Sequence, residues 1–214
     1  MNGELWPIIG RTILVSGVAT VLAVLAGAPL GYLMARSRFR GRTLLLALVN
    51  TGMGLPPVVV GLAVWLVLAR SGPLGGLDLI YTKQAMVAAQ FVIGLPLVVG
   101  VTAAAVQALP RELSDLLVSL GAGRWRTMFL VVREARLGLL AALMAGFGAV
   151  ISEVGAAMTV GGNLQGGTRV LATAVVTLTG RGEIAAALIL GGVLLAIAFA
   201  ANLVLTIVQQ RSEP

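Results

Sequence analysis

The feature that most restricts how this chain can fold is a series of long apolar runs, several of which exceed twenty residues. A helix of about 20 apolar residues crosses a hydrocarbon core of about 30 Å, and lipid offers the backbone no hydrogen-bond partners. Mean hydropathy is +1.02 and charged residues make up 11% of the chain, against about 25% in soluble domains. The sequence therefore predicts an all-α, polytopic membrane protein.

The apolar runs predict about five transmembrane helices, near residues 12–35, 43–68, 84–106, 138–160 and 184–208. The small residues at 26–28 also fit a signal-peptide cleavage site, but basic residues follow this run instead of preceding it, which favours a span. The positive-inside rule assigns these basic residues to the cytoplasm; they are Arg36, Arg38, Arg40 and Arg42. The N-terminus is then outside and the C-terminus inside.

Two of the predicted spans contain helix-breaking residues. Adjacent prolines remove two backbone donors, so we predict that the second span is kinked or unwound near Pro56 and Pro57. We predict a second interruption at Gly94-Leu95-Pro96 in the third span. Irregular backbone in a membrane is tolerated where it is buried in protein or lines a cavity. Thr51, Pro56 and Pro57 are therefore candidates for a pathway or gate, and a purely structural kink is the alternative.

The fourth predicted span contains one carboxylate, Glu153. An ionisable residue in an apolar span is energetically costly, which makes Glu153 a functional candidate, together with Thr159 on the same span. A structural hydrogen-bond anchor near the outer end of the helix is the alternative. Residues 161–183 form a predicted extracytoplasmic loop with a short helix near residues 170–179. That helix is short for a crossing, so we predict that it is re-entrant or peripheral.

The longest polar and basic run, residues 109–137, lies between the third and fourth spans on the cytoplasmic side. Its apolar residues recur at helical spacing, which predicts one or two short amphipathic helices with a break near Gly121-Ala122-Gly123. These apolar residues are Leu113, Leu116, Leu117, Leu120, Met128 and Leu130. Such a segment either rests on lipid headgroups or docks onto a partner protein.

The side-chain inventory argues against enzymatic chemistry. The chain has neither His nor Cys, no Gly-rich phosphate loop ends in Gly-Lys-Ser/Thr, and the single lysine, Lys83, is external in the predicted topology. We therefore predict a protein that is not an enzyme and that has no metal site, catalytic residue or cofactor of its own. Topology accounts for the net charge of +7, so nucleic acid is not predicted as a partner.

The polar run carries a resemblance to a known family. Asp115-Leu116-Leu117-x-x-x-Gly121-Ala122 resembles the Glu-Ala-Ala-x-x-x-Gly loop of binding-protein-dependent ABC importer permeases, with Asp for Glu, leucines for alanines, and Glu134 where the family usually has Pro. In that family the loop is a coupling helix that sits in a groove of the ATPase subunit. The resemblance implies these ATPase-coupling residues: Asp115, Leu116, Leu117, Leu120, Gly121, Ala122, Arg124, Trp125 and Arg126.

Other segments narrow the resemblance. The run LPPVVVG at 55–61, the loop SGPLG at 71–75 and the turn at 161–169 are similar to molybdate and tungstate permeases, and residues 112–123 and 151–163 look most like the tungstate branch. This implies a type I permease fold in one transmembrane domain, residues 1–214, of the cell inner membrane. It also implies alternating access in a homodimer with two ATPase subunits, which bind ATP and Mg, and an extracytoplasmic oxyanion-binding protein. Molybdate, and more distantly sulfate, are alternative cargoes.

The resemblance also bears on Glu153, because a carboxylate would repel a dianion. We therefore expect Glu153 to shape a gate or to pair with an arginine. A stand-alone secondary transporter or channel is the alternative from another class, with Glu153 as its ion-coupling carboxylate; dependence of uptake on a separate ATPase discriminates between them. A membrane scaffold without transport is a third possibility.

Overall fold

The structure, a computed structural model, describes residues 2–37 and 39–211. Within these residues it contains ten α-helices, a short 3-10 turn at Gly75–Leu77 and no strand, which confirms the predicted all-α fold. Arg38 and the terminal residues 1 and 212–214 of the predicted domain lie outside the described part. The helices are α1 Asn2–Arg36, α2 Arg42–Met53, α3 Pro57–Leu68, α4 Lys83–Ala108, α5 Glu112–Ser119, α6 Arg124–Glu134, α7 Arg136–Ile151, α8 Gly155–Gly161, α9 Leu171–Gly180 and α10 Ile184–Arg211.

Three of these helices, α1, α4 and α10, are long and apolar enough to cross a membrane. Two bent pairs pass the same test by length and composition, α2 with α3 at 107° and α6 with α7 at 76°, which gives up to five spans. In the second pair α7 is the apolar part, because α6 belongs to the polar run. The number agrees with the five spans predicted from the apolar runs. α9 has 10 residues and is about 15 Å long, so it is too short for a crossing, as predicted.

The first span is longer than predicted, because α1 begins at Asn2 and runs for 35 residues. Such a helix is about 52 Å long, so its outer turns extend beyond a hydrocarbon core of about 30 Å. Tertiary contacts hold these turns in place. Ile8 packs with Leu171, Ala174 and Leu190, contacts that the polar composition of the N-terminus does not reveal.

α1, α4 and α7 pack together at the centre of the chain. Small residues recur on α1 at every fourth position, namely Ala19, Ala23, Gly27 and Gly31, and such residues let helix backbones approach closely. The approach leaves no room for a larger side chain, since a Cβ on Gly31 would lie 2.8 Å from the Val99 carbonyl oxygen of α4. Ala23, Val98 and Ala142 complete this contact from the three helices.

The predicted interruption at Gly94-Leu95-Pro96 is wrong, because α4 continues through it without a break. A single proline removes one backbone donor, and neighbouring helices in a membrane bundle compensate for that loss. Here the proline ring is part of a packing contact. A Cβ on Gly52 of α2 would lie 2.8 Å from Pro96 Cγ, so α2 packs closely against the ring.

Two spans are broken. The predicted disruption near Pro56 and Pro57 is confirmed, and it is sharper than a kink: α2 ends at Met53 and α3 starts at Pro57 with a bend of 107°. Proline is favourable at this first helical position, where no backbone donor is needed. The prediction of one continuous helix over 138–160 is wrong, because α7 ends at Ile151 and α8 begins at Gly155.

Candidate functional site

The polar run folds into two short helices, α5 and α6, joined by a tight turn, which confirms the break predicted near Gly121. Gly121 has φ +82, a left-handed conformation that residues with a Cβ adopt at a cost of about 1–2 kcal/mol. The Ala122 N–H donates to the Leu117 carbonyl at 2.9 Å, and the Gly121 N–H donates to the Val118 carbonyl at 2.9 Å. These two bonds form a Schellman motif that closes the C-terminus of α5.

The α5–α6 segment is anchored to the inner ends of the membrane helices. Arg36 of α1 donates from Nη2 to the carbonyl oxygens of Leu109 and Pro110, at 3.1 and 3.0 Å. Leu113 and Leu117 pack against a buried apolar cluster of Ala35, Val106, Val131 and Ala135. The segment is therefore packed against the inner ends of α1 and α4.

The opposite face of the α5–α6 segment is apolar and exposed. Its large side chains are Leu116, 56% exposed, Leu120, 75%, Trp125, 79%, and Phe129, 62%. Leu117, another of the predicted coupling residues, packs inward instead of lying on this face, and its coupling role stays a prediction. Phe129 was not predicted from the sequence, although it follows Trp125 by four residues and so lies on the same side of α6.

Charged side chains surround this face. Asp115, Arg124 and Arg126, three of the predicted coupling residues, are exposed, and Ala122 lies half-buried in the turn. A patch with two large aromatic residues, two leucines and arginines beside them has the composition of a protein-docking surface.

The two broken spans meet at their breaks. α3 and α8 both begin there, and a Cβ on Gly155 of α8 would overlap Val58 Cγ2 of α3. One turn further along, a Cβ on Gly61 would lie 2.6 Å from Ala156 Cα. Two glycines thus let the first turns of α3 and α8 pack backbone to backbone. This contact was not predicted from the sequence, because the fourth span was expected to be one helix.

Glu153 caps the N-terminus of α8. Its Oε1 accepts from the Ala156 N–H at 3.0 Å and its Oε2 accepts from the Ala157 N–H at 3.1 Å, and the residue is only 6% exposed. The negative charge also lies at the positive end of the α8 dipole. This geometry is that of a hydrogen-bond anchor, placed at the break between α7 and α8. The expected arginine partner is wrong for residues 2–37 and 39–211, where no arginine nitrogen lies within 4.0 Å of this carboxylate.

Gln90 of α4 supports the other side of the same break. Its Nε2 donates to the Val150 carbonyl at 3.0 Å, in the last turn of α7. The same carbonyl also accepts from the Glu153 N–H at 3.3 Å, so the Gln90 side chain adds a second donor to a carbonyl at the helix end. Gln90 and Glu153 together satisfy backbone groups that the break leaves open. No sequence pattern pointed to Gln90, because its partner is sixty residues away.

The remaining pathway candidates divide into two groups. Thr51, Pro56 and Pro57 are exposed in the single chain, at the end of α2 and the start of α3. Thr159 is half-buried, and its hydroxyl donates to the Gly155 carbonyl at 2.7 Å within α8. Glu153 is buried at the α7–α8 break and Thr159 lies at the α3–α8 contact, so the first group is the more exposed. A pathway role for all five stays a prediction.

Comparison with known proteins gives matches over almost the whole chain. Residues 27–214 match the family described as binding-protein-dependent transport system inner membrane component. The chain is 40% identical to a probable anion ABC transporter permease protein of Haloferax volcanii, over 88% of this chain and 83% of that protein. It is 38% identical to the tungstate uptake system permease protein of Peptoclostridium acidaminophilum, over 97% of this chain and 91% of that protein.

The fold is similar to that of a solved membrane protein. The inward-facing MetNI methionine ABC transporter superposes with a TM-score of 0.79 over 100% of this chain and 98% of that chain, at 16% identity. At that identity the likeness concerns the fold alone.

Proposed function

Because the chain belongs to the family of binding-protein-dependent transport system inner membrane components, we propose that it is the permease subunit of an ATP-driven importer of tungstate. It is a multi-pass protein of the cell inner membrane with the type I importer permease fold, and it is a transport component, not an enzyme. Tungstate is supported by the 38% identity to a tungstate permease over 97% of the chain.

The observation that carries this proposal is the α5–α6 segment. A segment that transmits a conformational change from a partner subunit to the membrane helices must be rigid and must bind that partner. The turn at Gly121 and the Arg36 hydrogen bonds supply stiffness. The exposed face of Leu116, Leu120, Trp125 and Phe129 supplies apolar surface that docking would remove from water, at about 25 cal/mol for each Å². We propose that this face docks onto an ATPase subunit.

The broken second span supports a second copy of the chain as partner. No residue of α2 is buried in the single chain, and residues 54–57 at the break are exposed. Irregular backbone is not tolerated against lipid, so protein or a water-filled path must lie against it. A homodimer that places the two α2–α3 breaks around a shared path satisfies that requirement. We propose alternating access along this path, with Thr51, Pro56 and Pro57 beside it.

The hydrogen bonds of Glu153 favour this proposal over a stand-alone ion-coupled transporter. An ion-coupling carboxylate must exchange protons or cations during each cycle, so its oxygens must become accessible. Both oxygens of Glu153 accept backbone hydrogen bonds that hold the start of α8. We therefore propose that Glu153 keeps the α7–α8 break in shape beside the gate, and that ATP hydrolysis by two partner ATPase subunits drives uptake.

The proposal is tested by ATP hydrolysis in the complete system. The chain is reconstituted in lipid nanodiscs with its ATPase subunits, and its extracytoplasmic binding protein is added loaded with tungstate, molybdate or sulfate in turn. We expect the tungstate-loaded binding protein to stimulate hydrolysis most. Stimulation by molybdate alone would reassign the cargo, and no stimulation by any oxyanion in an assembled complex would overturn the oxyanion proposal.

A further inference from the structure

Arg11 of α1 is a buried charge with unmet hydrogen bonds. The residue is 8% exposed, and its Nε and Nη2 atoms are buried without an acceptor among residues 2–37 and 39–211. No carboxylate oxygen in that part of the chain lies within 4.0 Å of its guanidinium. A buried charge without a counter-charge is strongly unfavourable. The position therefore calls for a negatively charged group from outside the chain.

A second arginine with an unmet donor lies at the same end of the molecule. Thr12, next to Arg11, accepts a hydrogen bond from the Leu171 N–H at 2.9 Å, which fixes this part of α1 against the start of α9. Arg169 lies two residues before Leu171, and its Nε is also buried without an acceptor among the residues described. The unmet guanidinium atoms of both side chains are donors, so an acceptor-rich anion matches them.

A cavity of about 220 Å³ opens beside these residues. Ile8 and Arg169 line it, whereas Arg11 does not. Arg11 follows Ile8 by three residues, so it lies about 4.5 Å further along the same side of α1. The other polar side chains that line this cavity are Glu4, Gln165, Thr177, Arg181 and Glu183.

The charged groups that line the cavity differ in their exposure. Arg181 and Glu183 are exposed and Glu4 is half-buried, so water screens their charges. The buried nitrogen atoms of Arg11 and Arg169 lie in a medium of lower dielectric constant, where an electrostatic interaction is stronger. The buried Arg11 side chain and the buried Nε atom of the half-buried Arg169 therefore favour an anionic ligand at this end of the chain, in spite of the two carboxylates nearby.

We propose that Arg11 and Arg169 form an oxyanion-binding site at the outer end of the permease itself. The inference rests on the proposed function, because it assigns a receiving site to the oxyanion that the binding protein delivers. Guanidinium groups bind oxyanions through paired, charge-assisted hydrogen bonds. A lipid phosphate shares this chemistry, but a group only 8% exposed favours a small free anion. The site holds the oxyanion before it enters the path between the two copies.

The test uses the permease assembled with its ATPase subunits in nanodiscs of zwitterionic lipid, without binding protein. Equilibrium dialysis measures bound tungstate, with sulfate and inorganic phosphate as competitors, and thermal unfolding is recorded with and without tungstate. The variants are Arg11→Met and Arg169→Gln. Arg70→Gln is the matched control, because Arg70 is external and 92% exposed in a loop away from the cavity.

We expect the wild type and Arg70→Gln to bind tungstate alike, and Arg11→Met and Arg169→Gln to bind it at least about tenfold more weakly. We also expect Arg11→Met to unfold at a higher temperature than the wild type without tungstate, because it removes an unpaired buried charge. A purely structural arginine would give the opposite shift. Wild-type binding in Arg11→Met, or a lower unfolding temperature with unchanged binding, would overturn the site.

Two further outcomes are decisive. If the wild type binds no tungstate but tungstate-loaded binding protein still stimulates ATP hydrolysis, the site is wrong and the importer proposal stands. If anionic lipid stabilises the wild type but not Arg11→Met, and no soluble oxyanion binds, a lipid phosphate is the ligand and the oxyanion site is wrong.

Discussion

The Oε1 atom of Glu153 lies 3.0 Å from the backbone nitrogen of Ala156. This contact replaces an acceptor that a continuous helix would have supplied, so the fourth span breaks without leaving its first α8 amides unpaired. A carboxylate that looked like a pathway residue in the sequence is therefore a cap. Its position beside the start of α3 places that cap where the two broken spans meet.

We predict that Glu153→Ala lowers the stability of the assembled permease. The substitution leaves two buried amides without acceptors, at a cost of about 1–3 kcal/mol for each. Glu153→Gln keeps one acceptor, so its stability should lie between that of the wild type and that of Glu153→Ala. Thermal unfolding in nanodiscs measures the effect, with the exposed Glu183→Ala as control. A Glu153→Ala variant as stable as the wild type but inactive in transport would contradict a capping role.

Gly121 and Gly123 form a matched pair for testing the turn. A Cβ added to either glycine would meet no atom within 4 Å, but only Gly121 has a positive φ, +82. We predict that Gly121→Ala costs about 1–2 kcal/mol through backbone strain and that co-purification of the ATPase falls, whereas Gly123→Ala leaves both unchanged. Equal loss in both variants would show that the left-handed turn is not what positions the docking face.

Leu116 and Leu117 are neighbours on α5 that differ in their environment. Leu117 packs inward and Leu116 is exposed. We predict that Leu117→Ala lowers stability by up to about 2 kcal/mol, while Leu116→Ala changes stability by less than about 0.5 kcal/mol and weakens ATPase binding. Unfolding temperature and ATPase affinity are measured on both. If ATPase binding depends on neither leucine, the exposed face of the α5–α6 segment is not part of the docking surface.

The close approach of α1 and α4 gives a fourth prediction. Ala at Gly31 would meet the Val99 carbonyl, which cannot move aside without shifting α4, whereas Ala at Gly17 of the same helix meets nothing within 4 Å. We predict that Gly31→Ala lowers stability by about 1–3 kcal/mol. Gly17→Ala should leave the unfolding temperature unchanged or slightly raise it. A stable Gly31→Ala variant would mean that the two helices are further apart than described.

Much of the fold follows from the sequence, because hydrocarbon imposes length and composition directly. Spans longer than twenty apolar residues, the paired prolines at 56–57 and the glycine at 121 each leave a local signal. The sequence around Pro96 resembles that of the α2–α3 break. The Pro96 ring, however, packs against Gly52, and that contact is not visible in a linear sequence. The break at 152–154 was missed for the same reason: its backbone is satisfied by Glu153 and by Gln90, which is sixty residues from its partner.

The candidate site was predictable in part. Leu116, Leu120 and Trp125 were identified by helical spacing and by resemblance, and they are exposed on one face. Phe129 was missed, although its spacing from Trp125 is a local signal. The inward packing of Leu117 was not predicted, because it depends on Ala35 and Val106 of other helices. The burial of Arg11 was not predicted from the sequence. Thr12 beside it accepts a hydrogen bond from the Leu171 N–H at the start of α9, a contact that forms only in the folded chain.

The importer proposal is best tested by ATP-dependent accumulation of tungstate in proteoliposomes. The chain is reconstituted with its ATPase subunits, binding protein is present outside, ATP is inside, and internal tungsten is measured over time. We predict accumulation that requires ATP, binding protein and an intact Gly121, and that an ATPase subunit unable to hydrolyse ATP abolishes. Accumulation by the chain alone, driven by an ion gradient without any ATPase, would contradict the proposal.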